Sequence, residues 1–333
     1  DVGNNKTIAI GSEALSSNTT GANNIAIGYN ALSAEDGHGR NLAIGTNALH
    51  RQDAGATAYN VAIGFVTGEN ITTGVQNTLI GGFAGDALTT GNYNVAIGHT
   101  ALTSEDGHGY NTAIGAYTLY TQDAGANAYN TALGYNAGFA MSTGINNTII
   151  GGLAGDALTT GSYNVALGYQ ALSTEDTGTR SIAIGWGALK TQNYNGESYN
   201  VAVGHLAGEY ITTGINNTLI GGLAGDALST GSYNIAIGRA ALSTENAHGR
   251  NVAIGYAALE ALDAGTDAYN VAVGFNAGNA MTTGVQNILV GGLAGDAILG
   301  GSYNVALGHQ AGSGITDGDY NVAIGYKSLL TED

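Results

Sequence analysis

Tyr93-Asn94-Val95-Ala96-Ile97-Gly98 is the stretch whose reading decides the fold, because variants of it recur nineteen times along the chain. The closing glycines are Gly11, Gly28, Gly45, Gly64, Gly81, Gly98, Gly115, Gly134, Gly151, Gly168, Gly185, Gly204, Gly221, Gly238, Gly255, Gly274, Gly291, Gly308 and Gly325. Fourteen of the eighteen spacings are 17 residues; the other four are 19 and fall at every fourth step, which gives a second period of 70. A fixed short period marks one supersecondary unit stacked on itself.

Within the unit, large β-branched residues alternate with alanine, the period of a strand with one side facing a core. Val95 and Ile97 project to one side, Asn94 and Ala96 to the other. The glycine that ends each strand points to a bend or a close backbone approach. A short second segment such as Tyr29-Asn30-Ala31-Leu32 and a polar turn such as Thr89-Thr90-Gly91 complete the unit. One strong and one weak strand in so few residues make a narrow coil, and successive coils stack in parallel at about 4.8 Å. The expected fold is an all-β parallel β-solenoid, or β-roll, of about 19 coils forming one continuous domain over residues 1–333. On that spacing the coils make a rod roughly 90 Å long. A helical reading fails because glycine interrupts every few residues and no 3.6-residue period survives. Disorder is opposed by a 44% apolar content held at fixed phase.

Asparagine stands four residues ahead of the marker glycine in seventeen coils: Asn24, Asn41, Asn60, Asn77, Asn94, Asn111, Asn130, Asn147, Asn164, Asn200, Asn217, Asn234, Asn251, Asn270, Asn287, Asn304 and Asn321. Thr7 and Ser181 take the remaining two places. Stacked at one strand spacing, such amides form a structural ladder that satisfies turn groups otherwise buried without partners. One residue earlier lies a tyrosine row: Tyr59, Tyr93, Tyr110, Tyr129, Tyr163, Tyr199, Tyr233, Tyr269, Tyr303 and Tyr320, with Arg40, Arg180 and Arg250 in the same column. An aromatic row beside a polar turn could stack on sugar rings, pack between subunits, or cover the solenoid edge.

The 70-residue period separates two kinds of coil. Those beginning at Gly28, Gly45, Gly98 and Gly115 carry leucine four residues on, at Leu32, Leu49, Leu102 and Leu119. Those beginning at Gly64, Gly81, Gly134 and Gly151 carry glycine there and a large apolar residue seven places on, at Ile71, Leu88, Met141 and Leu158. At that later place the leucine-type coils include Glu35, Glu105, Glu175 and Glu245. Either each coil fills one void by one of two routes, or the surface is banded apolar and acidic every four coils, a pattern suited to lateral association.

Composition narrows the function. With 8 basic against 25 acidic residues and a net charge of −17, the surface repels phosphate backbones, so nucleic acid is not an expected partner. There is no cysteine, which excludes disulfides and thiolate metal sites, and no 18-residue apolar run to cross a membrane. Glu35-Asp36 with His38, Glu105-Asp106 with His108, and His248 near Glu245 bring acids and imidazole together in sequence. Equivalent residues lie about 19 Å apart along the solenoid and cannot share an ion. Each turn alone offers one histidine and two flexible acids, and Thr177-Gly178 loses the histidine. No metal, cofactor or catalytic residue is therefore expected, and the chain reads as non-enzymatic. Gly81-Gly82-Phe83-Ala84-Gly85-Asp86 departs from the calcium nonapeptide and returns every 70 residues, not every 9. Asn-x-Ser/Thr sequons at Asn5, Asn18, Asn70, Asn146 and Asn216 arise readily in an Asn- and Thr-rich repeat.

The Asn-Val-Ala-Ile-Gly unit resembles the head repeats of trimeric autotransporter adhesins, whose short motifs build a parallel β-roll in each of three chains. Segments such as Asn24-Ile25-Ala26-Ile27-Gly28-Tyr29-Asn30-Ala31-Leu32 are also similar to repetitive parts of phage tail fibres and bacterial surface proteins. The coil here, at 17 or 19 residues, is longer than the adhesin head repeat. The resemblance implies a structural or adhesive extracellular fibre, at a cell surface or on a virion, and a lateral homotrimer. The alternative is a glycan-binding module using the tyrosine and threonine rows. Head-to-tail association of copies is a further expectation. The sequence opens at Asp1-Val2-Gly3-Asn4-Asn5 and stops at Thr331-Glu332-Asp333, and joining the two would put Gly325 and Gly11 19 residues apart, a permitted coil length.

Overall fold

The computed structural model describes residues 6–330. The terminal turns on which the head-to-tail expectation rests, 1–5 and 331–333, lie outside the described residues. The chain divides into two compact units, Asp1–Asn164 and Val165–Asp333. Each is an all-β parallel solenoid. Among the described residues unit 1 holds nine strands, from β1 (Ile8–Ile10) to β9 (Thr148–Ile150), and unit 2 holds ten, from β10 (Val165–Leu167) to β19 (Val322–Ile324). The described residues contain no helix, so none is long and apolar enough to cross a membrane.

Within each unit, every described strand is three residues long and pairs in parallel with its neighbour in strict repeat register, as Val95 with Thr112 and Ala96 with Ala113 in unit 1, or Val252 with Val271 and Ala253 with Ala272 in unit 2. The marker glycine follows for two reasons at once. At Gly98 φ is +140°, and a Cβ there would sit 2.3 Å from the carbonyl oxygen of Gly115 in the next coil. Any side chain would both strain the backbone and force the coils apart.

The weak second strand expected from the sequence is not formed. The segment after each glycine is a run of turns with left-handed residues two and four places on, as Asn30 (φ 55°) and Leu32 (φ 51°), or Phe83 and Gly85. It still bonds from coil to coil, Leu32 N–H to the Ala48 carbonyl at 2.9 Å and Phe83 N–H to the Phe65 carbonyl at 2.9 Å. Left-handed backbone reverses the chain sharply enough to close a 17-residue coil, and the coil-to-coil bonds offset its cost of about 1–2 kcal/mol per non-glycine residue.

The core is built on the alanine side of the strand. Ala26, Ala43, Ala62 and Ala96 are fully buried, whereas the larger aliphatic residues on either side are partly exposed. Both classes of filler also point inward. Leu32 and Leu102 fill the core from the left-handed position, and Ile71, Leu88, Met141 and Leu158 fill it from the later one, all with no exposed surface. Glu35, Glu105, Glu175 and Glu245 are equally buried. The banded apolar and acidic surface is thus corrected: those residues line the interior, because the two routes fill the same void.

The strand centre takes part in this exchange. Four strands carry a larger residue in place of alanine: Leu79, Ile149, Leu219 and Leu289. Each lies beside two left-handed glycines. A Cβ on Gly68 would come within 2.7 Å of Leu79 Cδ1, and one on Gly85 within 2.9 Å of Leu79 Cδ2. The volume vacated by two leucines is taken up by one, which keeps the interior close-packed.

Candidate functional site

The asparagine column binds backbone more than it binds itself. In unit 1 the Oδ1 atoms of Asn24, Asn41, Asn60, Asn77 and Asn94 accept the N–H of the next ladder residue at 2.8–3.0 Å. The Nδ2 atoms of Asn24, Asn60, Asn77 and Asn94 donate to a turn carbonyl 14 residues on, as Asn60 to Gly74 at 2.7 Å and Asn77 to Gly91 at 2.9 Å, whereas that of Asn41 donates to Glu35. Unit 2 repeats this from Asn200 to Asn321, with Asn217, Asn234, Asn251, Asn270, Asn287, Asn304 and Asn321 each donating N–H to the preceding amide oxygen. Asn111, Asn130, Asn147 and Asn164 continue the unit 1 column. Most of these amides are buried, so the column has little free surface for a ligand. Thr7 bonds the Gly21 carbonyl, while Ser181 bonds the hydroxyl of Ser198 in the next coil and accepts from Nε2 of Gln192.

The residue before each ladder asparagine is left-handed throughout, at Tyr59, Tyr93, Tyr129, Tyr163, Tyr199, Tyr233, Tyr269 and Tyr303, and also at Arg40, Tyr110, Arg250 and Tyr320. That conformation turns the side chains outward, and the tyrosines are about half exposed. They do not stand free. Tyr110 stacks on Tyr93 and on Tyr129 with ring centroids 5.0 Å apart on both sides, and Tyr303 stacks on Tyr320 at 4.8 Å. Arg250 lies between the Tyr233 and Tyr269 rings, and Arg40 covers Tyr59. A second outer row runs Phe65, Phe83, His99, Tyr117 and Tyr135 by edge-to-face contacts.

The outer side of the sheet is apolar. In unit 1 Ile27, Ile44, Ile63, Ile80, Ile97 and Ile114 form one half-exposed column, and residues such as Ile25, Leu42, Val61 and Val95 form a second. Unit 2 has the same face, where Ile220, Ile235, Ile288 and Val290 are exposed.

The acidic turns are more ordered than their sequence suggests. Glu35, Glu105 and Glu245 are held by the N–H of His38, His108 and His248 at 2.8, 3.0 and 3.2 Å. The following coil adds Asp53, Asp123 and Asp263 to these groups, with one ligand atom per residue all within 4.8 Å of one another. Each aspartate lies 17 residues beyond the position after its glutamate, one coil length, and that offset was the available sequence signal. The picture of two flexible acids per turn is therefore corrected: the glutamate is fixed and buried, and a further carboxylate arrives from the next coil, the third in the first two groups and the second beside Glu245. A shallow open hollow lined by Thr20, Asn23, His38 and Arg40 borders the first group.

No protein-family model matches the chain, and comparison with curated proteins finds no significant match. The class that the fold defines is the parallel β-solenoid repeat protein.

Proposed function

We propose that this chain is a non-catalytic building element of an extracellular fibre, and that copies of it associate laterally through the outer face of the sheet. The observation that carries this reading is the inverted strand: alanine faces the narrow core, and the larger isoleucine, valine and leucine residues face out. Covering such a face regains about 25 cal/mol for each Å² removed from water. A contiguous apolar face marks an interaction site. A second copy is the natural occupant, since it presents the same columns at the same strand spacing, the condition for a self-complementary contact. The location at a cell or virion surface and the trimeric state rest on the resemblance of the repeat to adhesin heads.

Both faces of the Tyr110 ring are occupied by Tyr93 and Tyr129, which leaves a sugar ring no face to stack on there and weighs against the glycan alternative.

Sedimentation of the whole chain at micromolar concentration tests the proposal. Associated species are expected, and Ile80→Asp with Ile97→Asp should dissociate them while the far-UV circular dichroism stays unchanged. A wild-type chain that sediments as a single copy across that range would overturn it.

A further inference from the structure

The geometry points to three inter-coil sites for a divalent transition-metal ion, each built from a buried glutamate, a histidine three residues on and an aspartate from the next coil: Glu35, His38 and Asp53; Glu105, His108 and Asp123; Glu245, His248 and Asp263. Two lie in unit 1 and one in unit 2.

The first observation is an unmet polar group. Glu105 has no exposed surface, and its Oε2 has no hydrogen-bond partner. Burial pushes the Glu105 carboxyl up, against the lowering pull of the His108 N–H, the nearby imidazole and the Ala124 N–H. The Nδ1 atoms of His38, His108 and His248 are likewise buried without hydrogen-bond partners, and stand 3.8, 3.4 and 3.5 Å from the adjacent glutamate Oε1. The other two glutamates are little better served. Glu35 Oε2 receives a long bond from Asn41 Nδ2 at 3.4 Å, and Glu245 Oε2 one from the Ala264 N–H at 3.4 Å. Buried oxygen and nitrogen atoms without hydrogen-bond partners on both the acid and the imidazole are what a cation would satisfy.

The second observation is internal to the repeat. The fourth equivalent turn keeps the buried glutamate, Glu175, but has Gly178 for the histidine and Asn193 for the aspartate. Both ligands are lost together. The intervening acid does not follow them, since Asp176 is kept there while Asn246 appears in a turn that retains its histidine. Glu175 instead accepts from Gln192 Nε2 at 2.8 Å, the Tyr194 N–H at 3.3 Å and the Gly178 N–H at 2.8 Å. In the three histidine turns that glutamine donor is directed elsewhere or missing. Gln52 and Gln122 donate to the Thr72 and Ser142 carbonyls, and Leu262 takes the third place. The short side-chain bond to the glutamate, 2.8 Å from Gln192, is made where histidine and aspartate are gone, whereas the side-chain donor on Glu35 is Asn41 Nδ2 at 3.4 Å.

One imidazole with two carboxylates, joined in the first two groups by the exposed Asp36 and Asp106, suits zinc and its neighbours better than calcium or magnesium, which take oxygen ligands alone. Ligand atoms about 2.1 Å from an ion lie no more than about 4.2 Å apart, so each turn must tighten slightly. The exposed aspartate and half-exposed histidine can do this by rotation, while the buried glutamate stays fixed. An ion there would clip one coil to the next.

Titration of the metal-free whole chain with Zn²⁺ alone, read by calorimetry and by bound metal after dialysis, tests this. Three ions per chain are expected. His108→Ala should leave two, and so should Asp123→Asn, which keeps the shape of the side chain and guards against a folding defect. Replacing all three aspartates by asparagine should abolish binding, with unchanged circular dichroism. Fewer than one ion per chain, a stoichiometry unmoved by these changes, or equal binding of Ca²⁺ would each overturn the assignment.

Discussion

The N–H of Asn77 donates to Oδ1 of Asn60 at 2.8 Å, and Oδ1 of Asn77 receives the N–H of Asn94 at 2.9 Å. One side chain thus serves two coils, and its Nδ2 closes a third contact with the Gly91 carbonyl at 2.9 Å. Replacing Asn77 by alanine leaves the Asn94 N–H and the Gly91 carbonyl unpaired inside the solenoid. The expected cost is about 1–3 kcal/mol. Because repeat proteins open locally, the sharper measurement is hydrogen exchange at the Asn94 amide, which should accelerate while amides several coils away do not. Unchanged exchange at Asn94 would show that the bond is not needed.

Glycines that share a positive φ should differ widely in their tolerance of a methyl group. A Cβ on Gly98 would meet the Gly115 carbonyl oxygen at 2.3 Å, whereas one on Gly55, at φ +63°, would have nothing within 4 Å. Gly55→Ala should cost only the left-handed backbone penalty of about 1–2 kcal/mol. Gly98→Ala should cost about 4 kcal/mol or more, since two backbones must separate. Paired denaturation curves check the order, and equal costs would contradict the close approach.

At Tyr110 two effects oppose each other. Its ring stacks on two neighbours, each stack worth about 0.5–1.5 kcal/mol, but its backbone sits at φ 64°. Tyr110→Ala loses the stacks and keeps the strain, so it should destabilise by about 1–3 kcal/mol. Tyr110→Gly loses the stacks and relieves about 1–2 kcal/mol of strain, so it should be the milder change. Thermal melts of the two variants decide it; alanine as the better-tolerated residue would refute the balance.

Mild acid should stabilise the fold. Burial raises the Asp226 carboxyl to about 6, and burial likewise raises Asp86 and Asp156. In each of these residues Oδ1 has no hydrogen-bond partner. Between the unfolded value of 3.8 and about 6 the folded state holds the Asp226 proton that the unfolded state has released. Stability therefore falls as pH rises through that window. Denaturation midpoints should be higher at pH 4.5 than at pH 7, and Asp226→Asn should raise the pH 7 value and flatten the dependence. A midpoint that drops steadily from pH 7 to pH 4.5 would be the opposite sign.

The period, the coil, the position of every strand and the phase of the asparagine column were determined by the sequence alone. All of them follow from spacing, and spacing survives in one dimension because each coil meets its neighbour at the same residue offset. Only the tertiary structure decided which side of the strand faces inward, since Val95-Ala96-Ile97 alternates equally well either way. The coil is too narrow for two columns of isoleucine, so alanine goes in, and Leu79 fits only because Gly68 and Gly85 clear room for it. The same packing buries Glu35 and brings Asp53 to it from the next coil. That encounter depends on where a left-handed turn sends the chain in three dimensions, which periodicity by itself does not specify.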